Sequence, residues 1–218
     1  MRAHIRFEGQ RVTIPFDHQP MLVGVIHKWL GKNMVHGNLS LYSFSRLEGA
    51  IKQEDGLFFE NGGKMFFSSH NPELIKRLVS GIQSSPDMFQ TLRVSELVLQ
   101  EDPDFSQQTI FLPASPIFIK RRVVKNIKHI LYSDEEAGDY LEETIRNKIL
   151  DPGLEDDALQ IRFESTSHRA GTKMINYKGI RNKANWCPVI IDAKLETKRF
   201  IWNVGLGNST GIGFGAIK

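Results

Sequence analysis

The sequence predicts an α+β chain of two tandem ferredoxin-like (βαββαβ) domains with a C-terminal glycine-rich loop. Three observations predict it. Apolar residues recur with period two in some stretches and at helical spacing in others. The order of those stretches repeats after a polar break, Glu101–Gln108, that carries Pro103. The chain then closes on a run with glycines at 205, 207, 211, 213 and 215. The expected domains are 1–103 and 104–218. A single α+β domain with an elaborated sheet is the second fold reading.

In the first half, Ala3, Ile5 and Phe7 alternate with Arg2, His4, Arg6 and Glu8, the period of a half-buried strand. After Pro20, Met21, Leu22, Val25, Ile26, Trp29 and Leu30 line one helical face until Gly31 stops the run. Residues 39–47 read as a strand. Residues 57–60 and 64–69 read as a hairpin about Asn61-Gly62-Gly63, a strong turn signal. Asn71 before Pro72 is an N-cap followed by proline at the first helical position. Leu74, Ile75, Leu78, Val79 and Ile82 supply that helix's apolar face, and residues 92–99 form a closing strand.

The second half repeats the order without obvious identity. Residues 109–119 are extended. Ser133 is expected to cap a helix with Asp134, Glu135 and Glu136 in its first turn, where negative charge suits the helix dipole. Strands are expected at 159–164 and between Met174 and Ile191, and a weaker helix at 194–203. The glycine segment should lead into a short last strand over 212–217.

Composition narrows the function class. The apolar fraction of 40% and charged fraction of 24% are those of a soluble globular protein. The net charge of +3 is only mildly basic, so a nucleic-acid partner must be met by a local patch. One cysteine, Cys187, excludes an internal disulfide and a cysteine-based zinc site, and a reducing cytoplasm is the simplest expectation. No apolar run is long enough for a membrane span, so no membrane partner is expected.

The glycine segment, Gly205, Gly207, Gly211, Gly213 and Gly215, leaves main chain almost bare, and successive free N–H groups favour anions such as phosphate. Rossmann and Walker loops must open a helix, and too few residues follow here. A mobile tail is the bland alternative; interleaved Leu206, Ile212, Phe214 and Ile217 argue against it. None of the seven histidines shows metalloprotease spacing, and no carboxylate cluster resembles a metal cage, so neither metal nor cofactor is expected. His27 falls late in the first helix and His36 in the loop after it. Alone, the loop histidine His36 is an ordinary solvated group, and His27 lies beside Ile26 on the edge of the apolar stripe; together they suit general acid–base chemistry, because imidazole serves as either acid or base near neutrality. Basic residues gather at Lys120, Arg121, Arg122, Lys125 and Lys128. A second group, Arg169, Lys173, Lys178, Arg181 and Lys183, surrounds Tyr177 and Trp186. Such runs are commonly solvated faces, but cations interleaved with aromatics fit a phosphate-tracking surface with stacked bases. The acidic stretch 134–143 should face away from that ligand.

The tail resembles the C-terminal signature of the CRISPR-associated repeat-cleaving endoribonucleases, the sixth Cas family within the repeat-associated RNA-binding superfamily. The pattern Gly-x-Gly, a five-residue spacer and Gly-aromatic-Gly is met at Gly205, Gly207, Gly213, Phe214 and Gly215. Residues 14–26 resemble the family's approach to its first helix, and 41–47 its next strand. The resemblance implies cleavage of precursor CRISPR RNA without metal. The 2′-hydroxyl attacks the adjoining phosphate, leaving a 2′,3′-cyclic phosphate and a 5′-hydroxyl. It implies a catalytic role for His36, with His27 where many members carry a tyrosine. A lysine frequent just ahead of the strand is replaced by Ser40, so another cation, such as Lys28 or Lys32, must serve. Repeat RNA is the implied partner, alone or within an interference complex, and a homodimer is left open. Two other readings stand beside it: a noncatalytic RNA-binding subunit of an interference complex, and a mononucleotide enzyme that lacks the expected helix.

Overall fold

The computed structural model describes residues 1–31, 40–123 and 126–218. In chain order the elements are β1 (Arg2–Ile14), α1 (Gln19–Leu30), β2 (Tyr42–Phe44), β3 (Ile51–Lys52), β4 (Leu57–Ser69), α2 (Pro72–Ser84) and β5 (Arg93–Gln100). There follow β6 (Ile110–Phe111), β7 (Lys120–Val123), β8 (Asn126–His129), α3 (Ala137–Ile149), β9 (Gln160–Phe163), β10 (Gly171–Tyr177), β11 (Ile180–Trp186), β12 (Val189–Asp192) and α4 (Leu195–Val204). The fold is the α+β tandem of ferredoxin-like units that the patterning predicts.

The first unit is an antiparallel sheet ordered β2-β4-β1-β5, with β3 paired to β4. The inward residues of β1, Ala3, Ile5 and Phe7, are buried under α1 and α2, as period-two alternation requires. Asn71 caps α2 by accepting the Glu73 N–H at 2.9 Å. Gly81 lets α2 lie directly on α1: a Cβ there would come within 2.6 Å of the Trp29 Cα. The Trp29 indole N–H donates to the Ser85 carbonyl at 2.8 Å across the same contact.

Asn61-Gly62-Gly63 is not a hairpin turn. It lies within the continuous strand β4, whose register against β1 slips between Phe7↔Gly63 and Gln10↔Asn61. This is a bulge. Gly62 has φ +82°, and a Cβ on it would fall 2.8 Å from the Glu8 Cα and onto the Phe7 carbonyl. The dipeptide that signals a turn here serves the close approach of two long strands.

The second unit has a three-stranded sheet, β6-β12-β9, over α3 and α4. Its fourth position is taken by the chain's final residues. Leu112 and Lys218 exchange N–H···O bonds of 2.8 Å, and Ala114 N–H donates to Ala216 at 2.7 Å. The expected regular strand over 212–217 is therefore corrected: Thr210–Ile212 is a 3₁₀ turn, and only the last residues bridge to 112–114. α3 also starts later than Ser133. Asp134 spends its carboxylate on the Leu131 N–H and its carbonyl on Ala137, forming a turn ahead of the helix.

Among the described residues the two largest hydrophobic cores draw one on residues between 3 and 92 and the other on residues between 105 and 217, and a small cluster of Phe66, Ala114 and Ala216 joins the two units. Arg2 ties them together. Its guanidinium lies between the rings of Phe66 (3.7 Å) and Trp202 (3.5 Å) and donates to Ser68 Oγ and to the Trp202 and Ile217 carbonyls. Burial lowers its pKa well below the ordinary arginine range, which Asp102 opposes.

Candidate nucleic-acid interface and active site

The glycine segment forms the seam between the units. Thr210 Oγ1 donates to the Ser40 carbonyl (3.3 Å), Tyr42 OH to the Gly211 carbonyl (3.3 Å), and Gln19 Nε2 to the Ile212 carbonyl (2.7 Å). The start of α1, the approach to β2 and the tail thus meet at one place. Gly205, Gly207, Gly211, Gly213 and Gly215 are all buried. Gly205 and Gly215, both at positive φ, lie against each other: a Cβ on Gly205 would stand 2.7 Å from the Gly215 carbonyl. The N–H groups of Gly205, Gly213 and Gly215 already donate to Ile201, Thr210 and Pro116. At Gly205 and Gly215 bare main chain permits backbone-on-backbone packing, at Gly213 it makes room for the Gln19 and Phe44 side chains, and the expected free N–H donors of all three are spent inside the protein.

Lys148 of α3 is buried beneath this seam. Its ammonium reaches the Val204 and Gly205 carbonyls and Thr210 Oγ1 at 3.4–3.5 Å, where the end of α4 leaves carbonyls unpaired. It forms no ion pair among the described residues. Burial depresses its pKa to about 7.

His27 sits in the last turn of α1, half-buried. His36 and Lys32 lie outside the described residues, as does Lys125. Lys28, expected as a substitute cation, is directed elsewhere: its ammonium bonds Ser85 Oγ at 3.2 Å and the Asp87 carbonyl beyond α2. Ser40 is half-buried and its carbonyl is held by Thr210.

The first basic group lies on the β7–β8 hairpin. Register puts Lys120, Arg122, Ile127 and His129 on one face, and Arg121 and Lys128 on the other. Lys120, Arg122 and Lys128 are exposed. Arg121 is committed to α3: it pairs with Glu143 at 2.8 Å and lies 4.3 Å from the Tyr140 ring centroid. The acidic helix therefore lies against the Arg121 face of this hairpin. His129 Nδ1 accepts the Lys183 N–H (3.3 Å), and burial followed by the charge of Lys120 lowers its pKa.

The second group lies on the β10–β11 hairpin, closed by Lys178 (φ +51°) and Gly179 (φ +81°). Register separates its cations. Arg181 and Lys183 share a face with exposed Met174. Lys173 shares the other with Ile175, Tyr177 and buried Ala184. That second face turns toward the first unit, where Tyr177 packs against its core.

Where the residues after β2 meet those after β6, with the Arg46 N–H donating to the Ala114 carbonyl, a cavity of about 460 Å³ is lined by Arg46, Arg169 and Trp186 together with Glu48, Lys218 and apolar residues. Lys173 Nζ lies 5.0 Å above the Trp186 ring. Burial pulls down the Arg46 pKa, and burial, then Arg46 and Lys52, pull down that of Lys173. Sequence reasoning reached Arg169 and Lys173 but missed Arg46 and used Trp186 only as a neighbour. The available signal was an arginine inside the apolar run 41–47.

Comparison with known proteins decides the family. Residues 99–218, more than half of the chain, match the C-terminal region of CRISPR associated protein Cas6. The chain belongs to the Cas6 family. Among curated protein sequences none matches it. Solved structures agree on the fold. A CRISPR associated protein Cas6 superposes with a TM-score of 0.85 at 17% identity, over 100% of this chain and 98% of the other. A Cas6-related protein from Pyrococcus furiosus gives 0.85 at 22% identity, over 100% and 97%. A RAMP protein described as binding different RNA substrates gives 0.85 at 17%, over 100% and 98%. Among the described residues of this Cas6 protein no helix is long and apolar enough to cross a membrane.

Proposed function

We propose that this Cas6 protein binds CRISPR repeat RNA and cuts precursor transcripts within the repeat. The 2′-oxygen attacks the adjoining phosphorus, the bond to the 5′-oxygen breaks, and the products are a 2′,3′-cyclic phosphate and a 5′-hydroxyl. One group must take the 2′-hydroxyl proton, another must protonate the departing 5′-oxygen, and positive charge must meet the phosphorane. His36 and His27 supply the acid and base between them. The nucleophile belongs to the RNA itself, so the reaction calls for no metal-bound water.

One geometric observation carries this reading beyond family membership. The glycine segment clasps both the helix bearing His27 and Ser40, four residues after His36, through Gln19, Thr210 and Tyr42. Exposed cations of the two hairpins, among them Lys120, Arg122, Lys128, Lys178, Arg181 and Lys183, supply phosphate contacts. With three of its N–H groups spent, the glycine segment contributes to RNA binding chiefly by shaping the seam. Membership of an interference complex and dimerisation belong to the same proposal and are read out by size during the assay.

A noncatalytic repeat-binding subunit is the second reading. It is favoured by serine at position 40 and by the engagement of Lys28 at Ser85 and Asp87. One experiment separates the two. The host's repeat RNA is incubated with the protein in excess EDTA, and again with a single 2′-deoxy substitution 5′ of the cut. A single cut with a cyclic phosphate end, abolished by the deoxy substitution, is expected. Binding without a cut selects the second reading, and cleavage of the deoxy substrate removes the mechanism.

A further inference from the structure

The cavity between the units carries more than a general basic surface does. A guanidinium taken partly out of water normally finds a carboxylate, because uncompensated burial is costly. Arg46 is half-buried and has no ion-pair partner among the described residues. Among the described residues the one side-chain carboxylate on the cavity wall, Glu48, is occupied by Lys218 at 2.8 Å and Lys64 at 3.8 Å. Arg169 adds a further cation to the wall, and Lys173 stands over the indole of Trp186. The space therefore awaits negative charge.

Apart from Lys218, the other described residues of its wall are apolar. Ala50, Leu57 and Leu112 line it beside Trp186. A volume of about 460 Å³ falls within the range of about 300–1,000 Å³ typical of small-ligand pockets. Charge for a phosphate beside an aromatic and aliphatic chamber is the chemistry of a nucleotide. A base inside a duplex is stacked on both faces and cannot enter such a chamber. A base in an unpaired strand can, and stacking on an aromatic side chain rewards it whatever its identity.

We infer that this cavity captures one unpaired nucleotide of the bound RNA, its base against Trp186 and its phosphate at Arg46 and Arg169. The inference rests on the reading that the chain binds repeat RNA, but not on its cutting it. It makes single-stranded repeat the preferred form over duplex.

The test measures binding by fluorescence anisotropy with the labelled host repeat as a single strand, and with the same repeat annealed to its complement. Trp186→Ala should weaken single-strand binding roughly 5- to 150-fold, the span of one base–aromatic stack. Trp186→Phe should stay within a few-fold of wild type. Arg46→Met should lower the single-strand salt slope by about 0.7. Ala50→Trp fills the cavity without removing a cation and should weaken single-strand binding comparably to Trp186→Ala. None of the four should alter duplex binding, which also shows that each variant is folded. Equal losses on single strand and duplex, or no loss with either Trp186→Ala or Ala50→Trp, would overturn the inference. So would binding of AMP alone more tightly than the single strand, which assigns the cavity to a free nucleotide. If the wild type binds in this selective way yet makes no cut in EDTA, the cleavage reading fails and the inference stands.

Discussion

Lys148 offers a sharp test of the seam between the units, because its effect depends on pH with a sign set by the structure. The buried ammonium has a pKa of about 7, while an unfolded lysine keeps its ordinary value near 10.5. Between those values the unfolded chain binds more protons than the folded one, so stability rises with pH through this window. From pH 7 to pH 9 this lysine alone should add about 2 kcal/mol to the free energy of unfolding. Replacing it with methionine removes the titration while roughly preserving volume. Urea unfolding at pH 7, 8 and 9 checks the point, because the difference between the two proteins cancels every other titrating group. With an m-value of about 2–3 kcal/mol/M, the wild-type midpoint should rise by close to 1 M relative to the variant across this range. The absolute stability of the variant at pH 7 decides nothing. Methionine escapes the desolvation cost but leaves the Val204 and Gly205 carbonyls and the Thr210 hydroxyl without this donor. Parallel midpoints for the two proteins over the whole window would refute the reasoning.

Two further outcomes concern the RNA. His36→Ala should slow single-turnover cleavage by about 10²- to 10⁴-fold with repeat affinity held within a few-fold, and His27→Ala should slow it less; a wild-type rate for His36→Ala removes the proposed acid–base role. On the β7–β8 hairpin, Arg122→Ala should lower the log–log salt slope of single-strand binding by about 0.7, whereas Arg121→Ala, whose guanidinium is held by Glu143, should change it far less. Equal slopes lost at the two positions, measured by anisotropy titrations at several salt concentrations, would show that the Glu143 pair gives way to phosphate.

Local patterning made most elements readable. Ala3, Ile5 and Phe7 define a strand because each lands on the same side of a pleat. Leu22, Val25, Ile26, Trp29 and Leu30 define a helix because each lands on one stripe, and Asn71 before Pro72 marks the start of another through its own side chain. These signals lie within a few residues of one another, so no partner is needed to interpret them. The order of elements repeats, and that repetition was enough to indicate two ferredoxin-like units and, with the glycine signature, the family.

Tertiary structure decided what the glycines and charges are for. Asn61-Gly62-Gly63 carries the composition of a turn, yet it runs straight through β4, because the opposing β1 backbone needs the space a side chain would take. The last glycines suggest free N–H groups, yet Gly205 and Gly215 press main chain against main chain. Arg121 and Arg122 are neighbours of one charge; only the proximity of α3 neutralises the first and leaves the second in solvent. Arg46 stands far from Arg169 and Trp186 in the chain, and the three share a wall only once the segment after β2 meets the segment after β6. A sequence specifies which groups a segment owns and how they repeat along it. Which of them remain free for a ligand depends on what arrives from distant segments, and that is settled only when the two units close on each other.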